Sequence, residues 1–487
     1  MRKPFDPQQR LDCQPVLNVR LNLDCRHEIV PILRALQHIY SRPELRDDIL
    51  RAIARDVNRT SSRKRGRSGM HYWQILVLAA VRLGCDLDYD ELQDLAEQHL
   101  ALRQIMGIGD WDEHVTFDWR RIRDNLTKIR PETIEHINHL VVAAGHELAP
   151  HAAETVRADS FVVQTNIHYP TESSLIRDGL RKILTIGATL AFLLGVGGWR
   201  QHKHLYRKVR KLVREIERIA ARKATGYQDR LQAPYRELLA LADAIADRAE
   251  TLRIAAQNAA ADLEVLALDA ELAVFIERTR HVCGTARRRV LEGQKVPNAE
   301  KLFSIFEPHT QLYKRGKAAQ PVQFGRQLLV YEDGAGFITH AYLLPRDADD
   351  RDVVVDQTRR VQERLGGRIR RASFDRGFHS PENQRRLAEI IAHPCLPMPG
   401  RHQAAEQAEA ASIQFRQARQ RHPGVESAIA ALQSGNGLMR CRDRTERGFR
   451  RYLQLGVLGR NLHLLGKLLI AQDRRDSPAA QSRRKAA

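Results

Sequence analysis

Three carboxylates stand where the chain pattern would let them act together. Asp375 closes a β-prone run, Arg368-Ile369-Arg370-Arg371-Ala372-Ser373-Phe374-Asp375, which then breaks into Arg376-Gly377-Phe378-His379-Ser380-Pro381, a turn and a helix start. Asp159 ends a second short strand, within Thr155-Val156-Arg157-Ala158-Asp159-Ser160-Phe161-Val162. Glu426 lies near the start of a helical segment, Val425-Glu426-Ser427-Ala428-Ile429. Two strand-borne aspartates and a helix-borne glutamate make a set able to hold two Mg²⁺ ions, with Mn²⁺ as a substitute. Mg²⁺ takes hard oxygen ligands. Two such ions, about 3.5–4 Å apart, stabilise both the attacking and the leaving oxygen of a phosphodiester displacement. Each residue also has a plainer explanation. An aspartate at a strand end often caps a turn, and a glutamate in a first helical turn complements the helix dipole. Glu446 is an alternative third carboxylate, although it sits in a charge-rich stretch, residues 440–451, that reads as a DNA-facing surface.

The elements that must carry these residues follow from periodicity. Residues 322–331 and 337–343 read as strands joined by the turn Glu332-Asp333-Gly334-Ala335-Gly336, rich in residues that tolerate positive φ. Residues 352–365 read as a helix and residues 391–396 as a further strand. With the Asp159 strand they predict an α/β fold of α+β character, a mixed sheet with helices on its faces. Residues 452–469 form an apolar helix expected to complete that core. Residues 471–487 are polar and basic and are expected to be a disordered tail.

Residues 1–150 pattern as a helical domain. Residues 73–81 are strongly apolar, Asp88 is an N-cap candidate, and residues 116–126 form a helix with one cationic face. The loop Arg63-Lys64-Arg65-Gly66-Arg67 is basic. Short helices with basic faces suit binding of DNA ends, and a solvated helical scaffold is the alternative. Residues 181–300 are almost wholly helical in pattern, and from residue 180 to about 296 Pro234 is the single proline. Residues 200–223 hold ten Lys or Arg against two acids, Glu215 and Glu217, and Leu205, Val209, Leu212, Ile216 and Ile219 recur at helical spacing. Gly226 and Pro234 are expected to mark the bend of a helical hairpin. Its basic face reads either as a clamp on a phosphate backbone or as the solvated side of a structural hairpin.

Composition narrows the partners. The 487 residues carry 79 Lys and Arg against 59 Asp and Glu, a formal net charge of +20. A chain this basic usually meets a polyanion, most often nucleic acid. Six scattered cysteines form no Cys-x-x-Cys pair, which argues against a zinc knuckle or disulfide framework and suits a reducing compartment. The N-terminus lacks an apolar signal core, and the most apolar window, residues 183–196, is too short to span a bilayer.

In several segments the chain resembles a bacterial insertion-sequence transposase with a DDE catalytic core, of the ISNCY type. The resemblance rests on Asp159-Ser160-Phe161-Val162-Val163-Gln164-Thr165-Asn166-Ile167-His168-Tyr169-Pro170-Thr171, on Lys301-Leu302-Phe303-Ser304-Ile305-Phe306-Glu307-Pro308-His309-Thr310, on Phe324-Gly325, on Asp375-Arg376-Gly377-Phe378-His379-Ser380, and on His422-Pro423-Gly424-Val425-Glu426 followed by Gly437-Leu438. It runs over roughly residues 60–470. It implies an RNase H-like core, residues 151–180 and 301–470, interrupted by the helical insertion. It also implies two Mg²⁺ ions on Asp159, Asp375 and Glu426, and double-stranded DNA as substrate and target. A homodimer or higher oligomer on DNA, at work in the bacterial cytoplasm by the nucleoid and away from membranes, is implied as well. Arg63, Lys64, Arg65, Arg67, Arg207, Lys208, Arg376, Arg440 and Arg442 are the candidate DNA-contacting cations; His168 and His379 could touch the scissile phosphate or be ordinary structural residues. Two other readings stay open: a catalytically inactive descendant that still binds DNA, and a basic helical scaffold for RNA.

Overall fold

The computed structural model describes residues 3–5, 11–59, 69–112, 114–222, 224–258, 262–314, 321–398 and 412–476. Along the chain the helices and strands are α1 (Ile29–Tyr40), α2 (Pro43–Val57), α3 (Tyr72–Gly84), α4 (Tyr89–Gln98), α5 (Leu100–Ile105), α6 (Trp119–Leu126), α7 (Pro131–Leu148), β1 (Thr155–Thr165), α8 (Glu172–Leu193), α9 (His202–Arg222), α10 (Tyr227–Asn258) and α11 (Leu263–Ala286). There follow β2 (Gln311–Lys314), β3 (Val322–Asp333), β4 (Ile338–Leu343), α12 (Asp350–Arg364), β5 (Arg371–Ser373), α13 (Pro381–Ile390), β6 (His393–Cys395), α14 (Ile413–Arg421), α15 (Pro423–Gly435), β7 (Arg440–Cys441) and α16 (Glu446–Asp476). The chain divides into two compact units, residues 1–164 with 326–487, and residues 165–325.

In the first unit the sheet is mixed, as expected. β3 pairs β4 antiparallel, whereas β1, β5 and β6 run parallel to one another, with β1 between β3 and β5. Side chains alternate across each strand, and the two faces of this sheet are covered differently. Val156 and Ala158 of β1 and Leu329 and Tyr331 of β3 pack with Val354 and Val361 of α12 and with Phe374, Phe378 and Leu387. Phe161 and Val163 of β1, Leu328 and Val330 of β3 and Ile338 of β4 join one continuous core with α1 to α4, α6, α7 and α16. The N-terminal helices therefore do not stand apart as a domain of residues 1–150; they share their core with the sheet.

α16 is the reason. Phe449, Tyr452, Leu453, Leu455, Leu458, Leu462, Leu465 and Leu469 are all buried, so the helix is apolar around most of its circumference and needs partners on several sides. Its buried Asn461 accepts a hydrogen bond from the Ile338 amide (2.9 Å) and donates to the Ile338 carbonyl (3.0 Å) and to Asn138 of α7 (3.3 Å). That pins the sheet, α16 and α7 together. α16 runs on to Asp476, so residues 471–476 of the expected tail are helical, and residues 477–487 lie outside the described residues.

Local signals set several boundaries. Asp88 caps α4 as expected, accepting from the amides of Asp90 and Glu91 while Glu91 accepts from the Asp88 amide. α6 starts later than its pattern, at Trp119, because Asp118 is the cap.

The second unit is a packed set of four helices, α8 to α11, and not a single hairpin. Leu180, Ile183 and Leu184 of α8, Val209, Leu212 and Ile216 of α9, Leu238 and Ile245 of α10, and Leu272 and Ile276 of α11 share one core. Gly226 (φ +68°) makes the turn between α9 and α10. Pro234 does not; it lies inside α10, which continues through it. β2 pairs the first four residues of β3 here. Among the described residues no helix is long and apolar enough to cross a membrane.

Candidate active site

The register of the parallel strands brings two of the three carboxylates together. β1 pairs β5 as Thr155 to Arg371, Val156 to Ala372 and Arg157 to Ser373. Two residues further along, the same offset sets Asp159 opposite Asp375. Strands of a sheet lie about 4.8 Å apart, so the two aspartates are neighbours on one face. Asp159 is not at a strand end, as its pattern predicts. β1 continues to Thr165 because Phe161 and Val163 are drawn into the helical core, so Asp159 sits half-buried mid-strand. Asp375 stays extended beyond β5 (φ −83°, ψ 166°), since the Phe374 amide still donates to the Cys395 carbonyl of β6 (3.0 Å).

The loop after Asp375 is held from three sides. Phe378 is buried against Phe374. Ser380 caps α13 by accepting from the Asn383 amide (3.0 Å). The Asn383 side chain donates to the carbonyls of Phe378 (3.0 Å) and of Arg351 on α12 (2.9 Å). This places Asp375 and Arg376 exposed on the surface.

Glu426, exposed in the first turn of α15, reaches the same face through two anchors. Buried His422 pairs its Nδ1 with the Ser373 hydroxyl at 3.1 Å. Arg157, on the Asp159 face of β1, donates to the Arg421 carbonyl (3.1 Å) and bridges Glu332 of β3 (2.9 Å). The backbone passes so close to Arg157 that a Cβ at Gly424 would overlap the guanidinium, 2.7 Å from its Cζ. Arg157 also borders a cleft of about 460 Å³ lined by Arg371, Arg421 and His151.

Electrostatics ties the group together. Burial pushes the Asp159 carboxyl up from 3.8 to about 6; the Ser160 amide, donating to Oδ1 at 2.7 Å, opposes this, and the charges of Asp375, Asp350 and Glu426 add to it. The strongest charges acting on Asp159 are thus all carboxylates. Burial lowers the His422 pKa, with Arg419 adding to this, while Asp375 and Glu426 pull it back up. Burial lifts Glu332 to about 7 against the pull of Arg157 and Arg460.

Asp350 was not among the sequence candidates. It opens α12, where the hydroxyl of Ser160 (2.7 Å) and the side-chain amide of Gln327 (2.9 Å) donate to its Oδ2. Nothing in the acid-rich Asp347-Ala348-Asp349-Asp350-Arg351-Asp352 run sets it apart from capping residues; Asp349 is the actual N-cap. Arg157 was legible in principle, since it stands two residues before Asp159 and so on its face.

The remaining candidates scatter. Glu446 lies in the first turn of α16 beside Arg450 (3.0 Å) and Arg326 (3.8 Å). The stretch from residue 440 to 451 is not simply an outward surface. Asp443 pairs inside the fold with buried Arg82 (2.7 Å) and Arg451 (2.9 Å), and Arg442 turns onto Asp86 and the Tyr452 hydroxyl. Arg440 reaches the Gln164 side chain at 3.3 Å. Arg207 and Lys208 lie on α9 in the second unit, where His168 also sits, near Ser174 (3.3 Å) and Asp178 (3.6 Å) at the start of α8. Arg63, Lys64, Arg65 and Arg67 lie outside the described residues.

The donor set suits a hard divalent cation, because it is all carboxylate oxygen and carries excess negative charge. The fit stops short of coordination: among the described residues no three His, Cys, Asp or Glu stand close enough to hold a metal ion. Comparison with known proteins finds no matching family model, no matching curated protein and no matching solved structure.

Proposed function

We propose that this chain is a DDE-type DNA transposase, which cleaves the ends of an insertion element and joins the freed 3′-hydroxyl to target DNA. The observation that carries the reading is the register of β1 and β5, which aligns Asp159 with Asp375, together with the carboxylate charges that act on Asp159. Asp159, Asp375 and Glu426 would hold two Mg²⁺ ions, which in such sites activate the attacking oxygen and stabilise the leaving one.

The chain's own residues do the rest. The hydrogen bond from the Ser160 amide orients Asp159. The anchors through Arg157 and His422 bring Glu426 to the same face as the aspartates. Arg376, exposed beside Asp375, and the arginines lining the cleft next to Arg157 are available to phosphates of the bound strand. No side-chain nucleophile is required, since water and then the DNA 3′-hydroxyl serve in turn. On this reading the mixed sheet is an RNase H-like core, and the protein works as a homodimer or larger assembly on double-stranded DNA in the bacterial cytoplasm.

The test is strand cleavage on DNA that carries the element's own ends. Wild type is compared with Asp375→Ala in Mg²⁺ or Mn²⁺, with binding followed in parallel. Metal-dependent nicking that disappears in the variant while binding persists supports the reading. Wild-type binding with no cleavage in either metal replaces it with a DNA-binding protein that lacks catalysis.

A further inference from the structure

We infer that α9 presents a ladder of cations that binds the phosphate backbone of double-stranded DNA without reading its sequence. Lys203, Arg207, Arg210, Lys211, Arg214 and Arg218 are all exposed. At 100° per residue these six side chains fall within about 100° of arc on one side of the helix. Val209, Leu212, Val213 and Ile216 are buried and centre about 160° away. The two acids of α9, Glu215 and Glu217, fall on either edge of the ladder, and Glu217 turns to Arg177 (3.7 Å). Lys208 lies off the ladder and reaches Glu237 (3.6 Å).

Several other arginines of the same unit are paired with acids. Arg253 pairs with Asp269 and Glu250, Arg280 with Asp247 and Glu250, Arg287 with Asp243, and Arg288 with Glu300. Among the described residues none of the six ladder cations has an acidic partner within 4 Å. A merely solvated face gains nothing from sorting its cations onto one stripe, where like charges repel. A polyanion with regularly spaced charges does fit it. The ladder spans 16 residues, about 22 Å, and one DNA strand presents a phosphate every 3.4 Å or so of axis, roughly six over that length. Six cations and about six phosphates match in number and reach.

The experiment uses the full chain and a 30-base-pair duplex of random sequence, with affinity measured by fluorescence anisotropy across a NaCl series. Each phosphate that the protein ceases to neutralise reduces the slope of log K against log salt by about 0.9. The variant replaces all six ladder cations with Gln. Because these side chains are exposed, its circular dichroism and melting should match wild type, and its slope should fall by about 3–5. A control changes Arg280, Arg287 and Arg288 to Gln, cations of the same unit that already have acidic partners; its slope should fall by less than 1. An unchanged slope in the ladder variant overturns the inference. So does an equal loss per charge in the control, and so does ladder-dependent binding of duplex RNA with none of DNA. Asp375→Ala should keep the wild-type slope, so failure of the ladder and failure of the catalytic reading register separately.

Discussion

Replacing Asp159 by Asn should stabilise the protein, and only where the wild-type carboxyl is ionised. Its pKa rises from 3.8 to about 6 on folding, through burial and then the charges of Asp375, Asp350 and Glu426. At about 1.4 kcal/mol for each tenfold change in proton affinity, keeping Asp159 ionised in the folded state costs about 3 kcal/mol. The sign follows from proton uptake. Between pH 3.8 and about 6 the folded chain holds this proton more tightly than the unfolded chain does. The stabilisation from the bound proton is complete below pH 3.8 and is lost as the pH climbs through 6. Asn has no charge to lose, so the difference in unfolding free energy, variant minus wild type, should grow by about 2.5 kcal/mol between pH 4 and pH 8. Urea unfolding of both proteins across that range measures it, and titrating groups outside this carboxylate cluster cancel in the difference. Mg²⁺ adds a second arm. A cation that binds the folded carboxylates stabilises wild type by mass action and should shrink the gap at pH 8, with no effect on the variant. A difference that stays flat with pH, or a variant less stable than wild type at pH 8, refutes the claim that burial and like charges raise the Asp159 pKa.

Two further substitutions probe how the site is held. Gly424→Ala drives a Cβ into the Arg157 guanidinium, so it should cost about 1–3 kcal/mol and lower nicking at least tenfold, whereas Gly435→Ala, at the open end of the same helix with nothing within 4 Å, should leave unfolding and nicking unchanged. Asp443→Asn removes the charge shared by Arg82 and Arg451, where burial raises the Asp443 pKa but the two guanidiniums outweigh it and hold it below 3.8; the variant should lose about 3–5 kcal/mol in thermal or urea unfolding, and wild type should lose stability as pH falls below 3.8.

Much of the scaffold was legible because its signals are local. The Asp88 cap, the apolar period of α9, the turn after β3 and the helix start after Asp375 each depend on residues within a few positions. What stayed hidden depends on distant chain. The true length of β1 is set by helices that bury Phe161 and Val163, and nothing between residues 155 and 165 announces that. The four-helix packing of the second unit requires α8 and α11 to meet across 69 intervening residues. The candidate site divides the same way. Strand patterns carry Asp159 and Asp375, but Arg157 finds Glu332 and the Arg421 carbonyl, the latter 264 residues on, and Asp350 meets Ser160 from 190 residues away. Periodicity tells which face a side chain takes and not which remote partner waits there.

On the proposed reading, the disposition of Arg157 is what would separate a cation-holding face from an accidental cluster of acids. This chain has 20 more cations than anions, and one of them stands two residues from Asp159 on its own face. A protein that needed only stability would turn that guanidinium onto Asp159 and bring its carboxyl down. Instead Arg157 is fixed to Glu332 and to the Arg421 carbonyl, and Gly424 leaves room for it to stay there. The carboxylates acting on Asp159 therefore remain uncompensated by Arg157 and add to the burial that raises its pKa to about 6. The same contacts that withhold Arg157 from Asp159 hold the start of α15, and with it Glu426. One arginine thus both gathers the acidic group and declines to neutralise it, as the proposed cation site requires.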